Sequence, residues 1–244
     1  MVSDKLYIIL QARMNSERLN GKVMLPINGT PMIGILINRL KQSGFPIVLA
    51  TSINPENNTL CDYITSLDVK IYRGSEDNVL ERYYEAARMV GAEFIIRATG
   101  DNPLLDGGFI KHVVNQLPQI DNRTYYSTGI SKTLPIGASF ELFSFELLKE
   151  AYENATLPGE KEHVTPYMYQ NKSGNIKIQT MTWIKNRSNY RLTVDTQEDF
   201  MLIKDLIEKY NCHTKSIESI VEIIDNNTEL QTLNQNIKQK KWND

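Results

Sequence analysis

Short apolar, β-rich runs alternate with segments of helical period through the first half of the chain, and this alternation restricts the fold more than any single motif. The runs lie at residues 6–10, 47–50, 69–72 and 94–97. Crossover connections between them place parallel strands in one sheet with helices on its faces. One connecting helix is expected over residues 31–43, where Thr30 can cap, Pro31 suits the first helical position and Met32, Ile35, Leu36 and Leu40 form an apolar stripe ending before Gly44. A second is expected after Ser75 as cap, with Glu76 and Asp77 in its first turn, Val79, Leu80, Tyr83, Ala86, Ala87 and Val90 buried, and Gly91 as its stop. With 244 residues, 41% apolar and 23% charged, the chain fits one α/β domain carrying a small appendage.

Beyond about residue 122 the alternation weakens. Strands are expected at 124–128, 176–183 and 191–194, helices at 143–154, 162–170 and 197–210, and a helical tail rich in Asn, Gln and Lys from 214. This divides the chain into a domain over 1–212, with halves 1–122 and 123–212, and a helical extension over 213–244. The 27 basic and 29 acidic residues leave a net charge of −2, which argues against a broad face that neutralises nucleic-acid phosphates. The early apolar run from Leu6 to Leu10 is too short for a signal segment or a membrane span, so a cytoplasmic protein with no membrane insertion is expected. Cys61 and Cys212 lack metal-site or redox spacing and read as free thiols.

In parallel α/β sheets, ligands sit outside the carboxyl ends of the strands. The loop after the first strand, residues 11–22, carries Arg13, Arg18 and Lys22 together with Gly21, a set suited to gripping a polyphosphate. It is not a Walker A loop, because Gly21-Lys22 is followed by Val23. After the fourth strand comes Thr99-Gly100-Asp101-Asn102-Pro103, and Asp195 follows another strand. Two carboxylates at strand ends facing three cations suit a shared Mg²⁺ that bridges phosphate oxygens. Singly, each has a plainer reading, a solvated basic loop or a capping Asp. Together they imply nucleotide-dependent phosphoryl or nucleotidyl transfer.

The stretch from Gln11 to Pro26, with Gly29-Thr-Pro-Met32, resembles the opening signature of the cytidylyltransferases that activate acidic sugars, the CMP-sialic acid and CMP-Kdo synthetase group. Residues 72–86, Thr99-Gly-Asp-Asn-Pro-Leu104, Glu162-His-Val-Thr-Pro-Tyr167, Arg191-Leu-Thr-Val-Asp195 with Glu198-Asp199, and the tail from Asn227 are similar to its SpsF-like spore-coat-polysaccharide branch. The resemblance covers nearly the whole chain. It implies a Rossmann-like nucleotide-diphospho-sugar transferase fold, GT-A-like and three-layered, with a mainly parallel sheet and a C-terminal helical extension. The first half would bind nucleotide, and the second would bind acceptor and dimerise.

The activity so implied is Mg²⁺-dependent transfer of CMP from CTP to a 2-keto sugar acid with loss of pyrophosphate, for a surface polysaccharide, by a homodimer. On the matching positions, Arg13, Lys22 and Asp101 would be catalytic, and Asp101 and Asp195 would hold Mg²⁺. Gln11, Ala12, Arg13, Ser16, Arg18, Lys22, Thr99 and Gly100 would contact nucleotide, with the base read around Ala50, Thr51, Arg73, Gly74 and Ser75. Arg73 has a second reading, pairing with Glu76 or Asp77. Glu141, Glu162 and His163 are acceptor-site candidates; otherwise Glu141 fixes a loop and His163 packs near Tyr167. Asn15 and Asn20 stand where these families commonly have Gly and Pro, and Asn at position 15 tolerates a left-handed turn. Competing readings are a cytidylyltransferase for a phosphorylated acceptor, giving a CDP product, a glycosyltransferase using a nucleotide sugar, and a silent binding member of the family. The glycosyltransferase reading lacks an Asp-x-Asp motif at Asp101, and the silent reading conflicts with Arg13, Lys22, Asp101 and Asp195 all being present.

Overall fold

Strand β1 (Leu6–Gln11) presents Ile8 and Leu10 to one side and Ile9 to the other, and all three are fully buried. A strand apolar on both faces needs a helical layer on each. The computed structural model describes residues 5–16, 18–117, 120–181, 183 and 185–239. After β1 come β2 (Pro26–Ile27), β3 (Thr30–Pro31), α1 (Met32–Lys41), β4 (Ile47–Ser52), α2 (Asn58–Ser66), β5 (Lys70–Gly74), α3 (Val79–Val90), β6 (Phe94–Thr99) and α4 (Gly107–Gln116). The second half contains β7 (Thr124–Ser127), β8 (Glu141–Ser144), α5 (Phe145–Asn154), α6 (Pro158–His163), α7 (Pro166–Tyr169), β9 (Lys177–Thr180), α8 (Gln197–Tyr210), α9 (Ile217–Asp225) and α10 (Thr228–Thr232).

Seven strands form one sheet in the order β5-β4-β1-β6-β8-β7-β9. The first four run parallel, β8 is antiparallel to both β6 and β7, and β9 is parallel to β7. Gln11 is level with Ala50 on one side and Thr99 on the other, so β1, β4 and β6 end together. On one face, α1, α2 and α4 pack against Ile8, Leu10, Leu49 and Ile96; on the other, α3, α5 and α7 cover Ile9, Val48 and Ile95. This is the expected three-layer α/β architecture. A third cluster joins Met32 and Ile35 of α1 to Val194, Ile203 and Leu206, and to Ile217 and Ile220 of α9. Cys61 and Cys212 are buried free thiols, and burial pushes the Cys212 thiol up to about 11. No helix among the described residues is long and apolar enough to cross a membrane.

Several local expectations are corrected. Thr30 does not cap α1; it pairs with Ile27 across Asn28-Gly29, both with positive φ, in a two-residue hairpin whose Asn-Gly signal the helical reading passed over. Ser75 caps nothing helical: its hydroxyl accepts from the Asn78 N–H, while the Asn78 side chain accepts from Glu81, so α3 starts at Val79 and Glu76 and Asp77 precede it. Gly91 does close α3, with φ at 64°. The helix expected over 162–170 is broken at Val164, whose φ of 69° separates α6 from α7, and Pro166 starts the new turn. His163 therefore ends a helix and does not begin one. Residues 141–144, expected as loop and helix start, form β8, while among the described residues 191–194 forms the isolated bridge Ile136 to Arg191 and no strand of the sheet, with Leu192 and Val194 packed in the third cluster.

Candidate active site

The loop leaving β1 is pinned at both ends. Gly100 donates its N–H to the Gln11 carbonyl at 2.7 Å, and a Cβ at Gly100 would lie 2.7 Å from that of Ala12, so only glycine allows the loops after β1 and β6 to touch. Further on, Met14 N–H donates to the Asn57 side chain at 2.8 Å and Gly21 N–H returns to the Met14 carbonyl at 2.8 Å. The left-handed turn falls at Gly21, with φ at 68°, and not at Asn15.

This fold-back buries Lys22. Its Nζ donates to the Val194 carbonyl at 2.7 Å and to Asp195 Oδ1 at 2.8 Å, and stands 3.8 Å from Asp101 Oδ2. Asp195 Oδ2 also receives Arg191 at 2.6 Å and Arg18 at 3.0 Å. Burial opposes ionisation of Asp195, but Lys22, Arg18 and Arg191 outweigh it and hold the carboxyl below its usual range. Asp101 is oriented by the Thr99 hydroxyl, which donates to Oδ1 at 2.6 Å and accepts from Asn102 at 2.7 Å. The two carboxylates expected to share a metal thus converge on one cation, the Lys22 ammonium. Among the described residues no group of three or more His, Cys, Asp or Glu is placed to hold an ion; a pair of carboxylates fits Mg²⁺, which commonly takes one or two of them together with substrate oxygens and water.

The rest of the expected nucleotide site rims the same sheet edge. Arg13 pairs with Glu76 at 2.6 Å, and the other Glu76 oxygen accepts from Asn54 at 3.1 Å. Against the cost of burial, hydrogen bonds from Ser52 and Arg13 hold the Glu76 carboxyl below its usual range. Ala50 and Thr51 are buried at the end of β4, and the Thr51 hydroxyl finds no partner among the described residues. Arg73 pairs with neither Glu76 nor Asp77: it bonds the carbonyls of Ser52, Ile53 and Asn54 and the Asn58 side chain, bracing the loop after β4. Gly74 pairs with Ser52, and Ser75 accepts an Arg82 hydrogen bond through its carbonyl. Ser16 is half-buried in the β1 loop.

Beside this edge lies a cavity of about 250 Å³ lined by Arg97, Thr99, Tyr125, Ser127, Ser139 and Glu141 among others. Glu141, from β8, accepts Arg97 at 3.0 Å, Tyr125 at 2.5 Å and Thr165 at 3.1 Å, and Arg97 reaches the Gln11 side chain at 3.2 Å. Burial opposes charge on Arg97, but Glu141 keeps it protonated, and burial beside Glu141 pushes the Tyr125 phenol well up. Glu162 is exposed; His163 is half-buried and pushed below its usual value by burial, with Glu162 opposing and Arg97 adding to the shift. Neither lines the cavity. Sequence reasoning did not single out Arg97 or Arg191. The signal for Arg97 was a charge closing the apolar run at 94–97, and for Arg191 its i, i+4 and i+8 spacing to Asp195 and Asp199.

A mostly parallel sheet that gathers Arg18, Lys22, Asp101 and Asp195 at the ends of its central strands has the architecture of a nucleotidyltransferase. Residues 7–238 match the cytidylyltransferase family, and the chain belongs to that family of CTP-dependent nucleotidyltransferases. It is 33% identical to the spore coat polysaccharide biosynthesis protein SpsF of Bacillus subtilis, over 85% of this chain and 88% of that protein. A cytidylyltransferase structure from Leptospira borgpetersenii serovar Hardjo-bovis matches with a TM-score of 0.88 at 30% identity, over 97% of this chain and 99% of that one. The 3-deoxy-manno-octulosonate cytidylyltransferase of Pectobacterium carotovorum is 27% identical over 64% of each chain.

Proposed function

We propose that the chain transfers CMP from CTP to the anomeric hydroxyl of a 2-keto sugar acid, in a Mg²⁺-dependent reaction that releases pyrophosphate and serves surface polysaccharide synthesis. The observation that carries this reading is the convergence of Asp101 and Asp195 on Lys22, with Arg18 adjoining, directly beside the Arg97–Glu141 cavity. Lys22 and Arg18 bind phosphate oxygens, Arg13 joins them on leaving Glu76, and Asp101 and Asp195 are the residues that would hold Mg²⁺. When bound, the metal supplies charge neutralisation at the phosphate oxygens and lowers the pKa of an oxygen that it coordinates. The protein's part is positioning and charge stabilisation of the transferring phosphorus and the departing pyrophosphate, and neither Asp has to act as a base.

The cavity favours a polyhydroxylated acceptor over a phosphorylated one. Arg97 is the only cation among its described lining residues, and Glu141 already neutralises it, whereas Thr99, Tyr125, Ser127 and Ser139 offer hydroxyls. A sugar acid suits this division: its hydroxyl tail fills the cavity and its carboxylate, beside the anomeric hydroxyl, stays at the cation-rich edge. The likeness to a 3-deoxy-manno-octulosonate cytidylyltransferase supports the same class of acceptor, and the relationship to a spore coat polysaccharide biosynthesis protein supports the surface-polysaccharide setting. Pyrophosphate release from CTP and Mg²⁺ is to be measured with Kdo, a nonulosonate and a phosphorylated alcohol as acceptors. Turnover only with the sugar acids is expected, with Asp101→Asn inactive yet folded; turnover only with the phosphorylated alcohol would sink the reading.

A further inference from the structure

The segment after α10 returns to the phosphate site. Asn234, buried to 6% exposure, donates through Nδ2 to the Arg191 carbonyl at 3.0 Å and to Asp199 Oδ1 at 2.8 Å. Asp199 in turn accepts Arg191 Nε at 2.9 Å and, through Oδ2, the N–H groups of Asp195 and Thr196 at 3.0 and 3.2 Å. Arg191 closes the circuit: Nη2 holds Asp195 Oδ2, and Nη1 is hydrogen-bonded to the side-chain oxygen of Gln239. Each of the three guanidinium nitrogens of Arg191 is therefore engaged, Nε by Asp199, Nη2 by Asp195 and Nη1 by the tail.

We infer that Asn234 and Gln239 are positioning residues for cytidylyl transfer, acting through Arg191 on Asp195 and Lys22. A guanidinium is a rigid planar fork, so fixing two of its edges fixes the third. With Nε on Asp199 and Nη1 on Gln239, Nη2 is aimed at Asp195 Oδ2 and leaves Oδ1 to Lys22. Once Lys22 turns to a phosphate, Oδ1 is uncovered while Oδ2 stays held, which presents one defined oxygen to a cation. A neutral amide at position 239 suits this task. A carboxylate there would compete with Asp195 for Arg191, and an apolar group would free the guanidinium to rotate. Groups that orient the ligands of a metal are commonly worth about 10–100-fold in metal affinity.

The inference rests on the reading of Asp195 and Lys22 as metal- and phosphate-handling groups, and the test separates the two. Mn²⁺ binding in the presence of CTP is to be followed by electron paramagnetic resonance, and CTP binding by calorimetry with and without Mg²⁺; neither needs an acceptor. Gln239 is exposed, so its replacement opens no cavity in the core and is expected to leave the fold intact, which a melting curve checks. Gln239→Ala and Asn234→Ala are expected to weaken Mn²⁺ binding about tenfold or more, and Gln239→Glu to weaken it further. Normal Mn²⁺ and CTP binding in both Gln239 variants, with binding lost in Asp195→Asn, would overturn the tail's role alone. Normal Mn²⁺ binding in Asp195→Asn would remove the reading of Asp195 and the inference with it.

Discussion

Lys22 is held among a carbonyl and two carboxylates, so in the proposed reaction its charge passes to a phosphate by exchange of those contacts. Lys22→Ala is expected to weaken CTP binding about tenfold, near 1.4 kcal/mol, while CMP binding changes little, because the terminal phosphates are what distinguish the two ligands. Equal loss for both, by calorimetry, would place Lys22 elsewhere. The same cluster sets an acid dependence. The Asp195 carboxyl lies below its ordinary 3.8 in the folded chain, so its ion pairs contribute stability that is complete above that value and lost as pH falls through the folded value. The gap between melting curves of the wild type and Asp195→Asn should therefore begin to narrow below about pH 4 and go on narrowing as pH falls further; a gap unchanged from pH 6 to pH 3 would contradict the assignment. That Lys22 and Asp101 would meet was legible because the loops after β1 and β6 leave the same end of a parallel sheet; Asp195 joins them from a run that is not a sheet strand, carried by the Val194 N–H on the Asp101 carbonyl. Arg97 was not legible, since its partner Glu141 lies 44 residues away, and for Arg191 the nearby Asp195 and Asp199 gave a spacing signal while its contact with the tail at Gln239 gave none.

At the level of elements, the connections that carry the site are fixed by side chains, not by helix propensity. The start of α3 depends on Asn78, whose side chain accepts the Glu81 N–H, and on Ser75, which accepts that of Asn78. Asn78→Ala should cost about 1 kcal/mol. Ser75→Ala should cost less, because the hydrogen bond it accepts belongs to a turn outside the helix; the reverse order in urea unfolding would restore Ser75 as the cap. The break at Val164 has a similar local cause and a functional consequence. A β-branched residue with φ at 69° interrupts the helical run and brings the Thr165 hydroxyl onto Glu141. Helices α3 and α8 were readable from their apolar period and terminal residues. The second half was less so, because β8 is short, carries Glu141 into the sheet and pairs antiparallel, while the run at 191–194 is buried against helices instead of strands.

Across the whole molecule, the extension expected from residue 213 is tied to the first crossover helix by a single buried cation. Arg39 of α1, 2% exposed, donates to the carbonyls of Leu104 and Leu105 after β6 and to those of Cys212, His213 and Lys215 ahead of α9. Helix α1 also has Ile33 and Leu36 in the sheet core and Met32 and Ile35 in the cluster with α8 and α9. These shared residues couple the two cores. Arg39→Met keeps the bulk of the side chain but supplies no donor, and the buried carbonyls left without partners should cost about 3–5 kcal/mol. If the two cores unfold as one unit, the far-ultraviolet circular dichroism transition and the fluorescence of Trp183, which packs on the α8–α9 cluster and is isolated by Trp242→Phe, move together to lower urea. A fluorescence transition that separates from the dichroism, with CTP binding surviving the first step, would instead make the C-terminal helices an independent unit. CTP and Mn²⁺ binding that survive the melting of the tail would also remove its role in positioning Asp195, whereas their loss at the first step would support it.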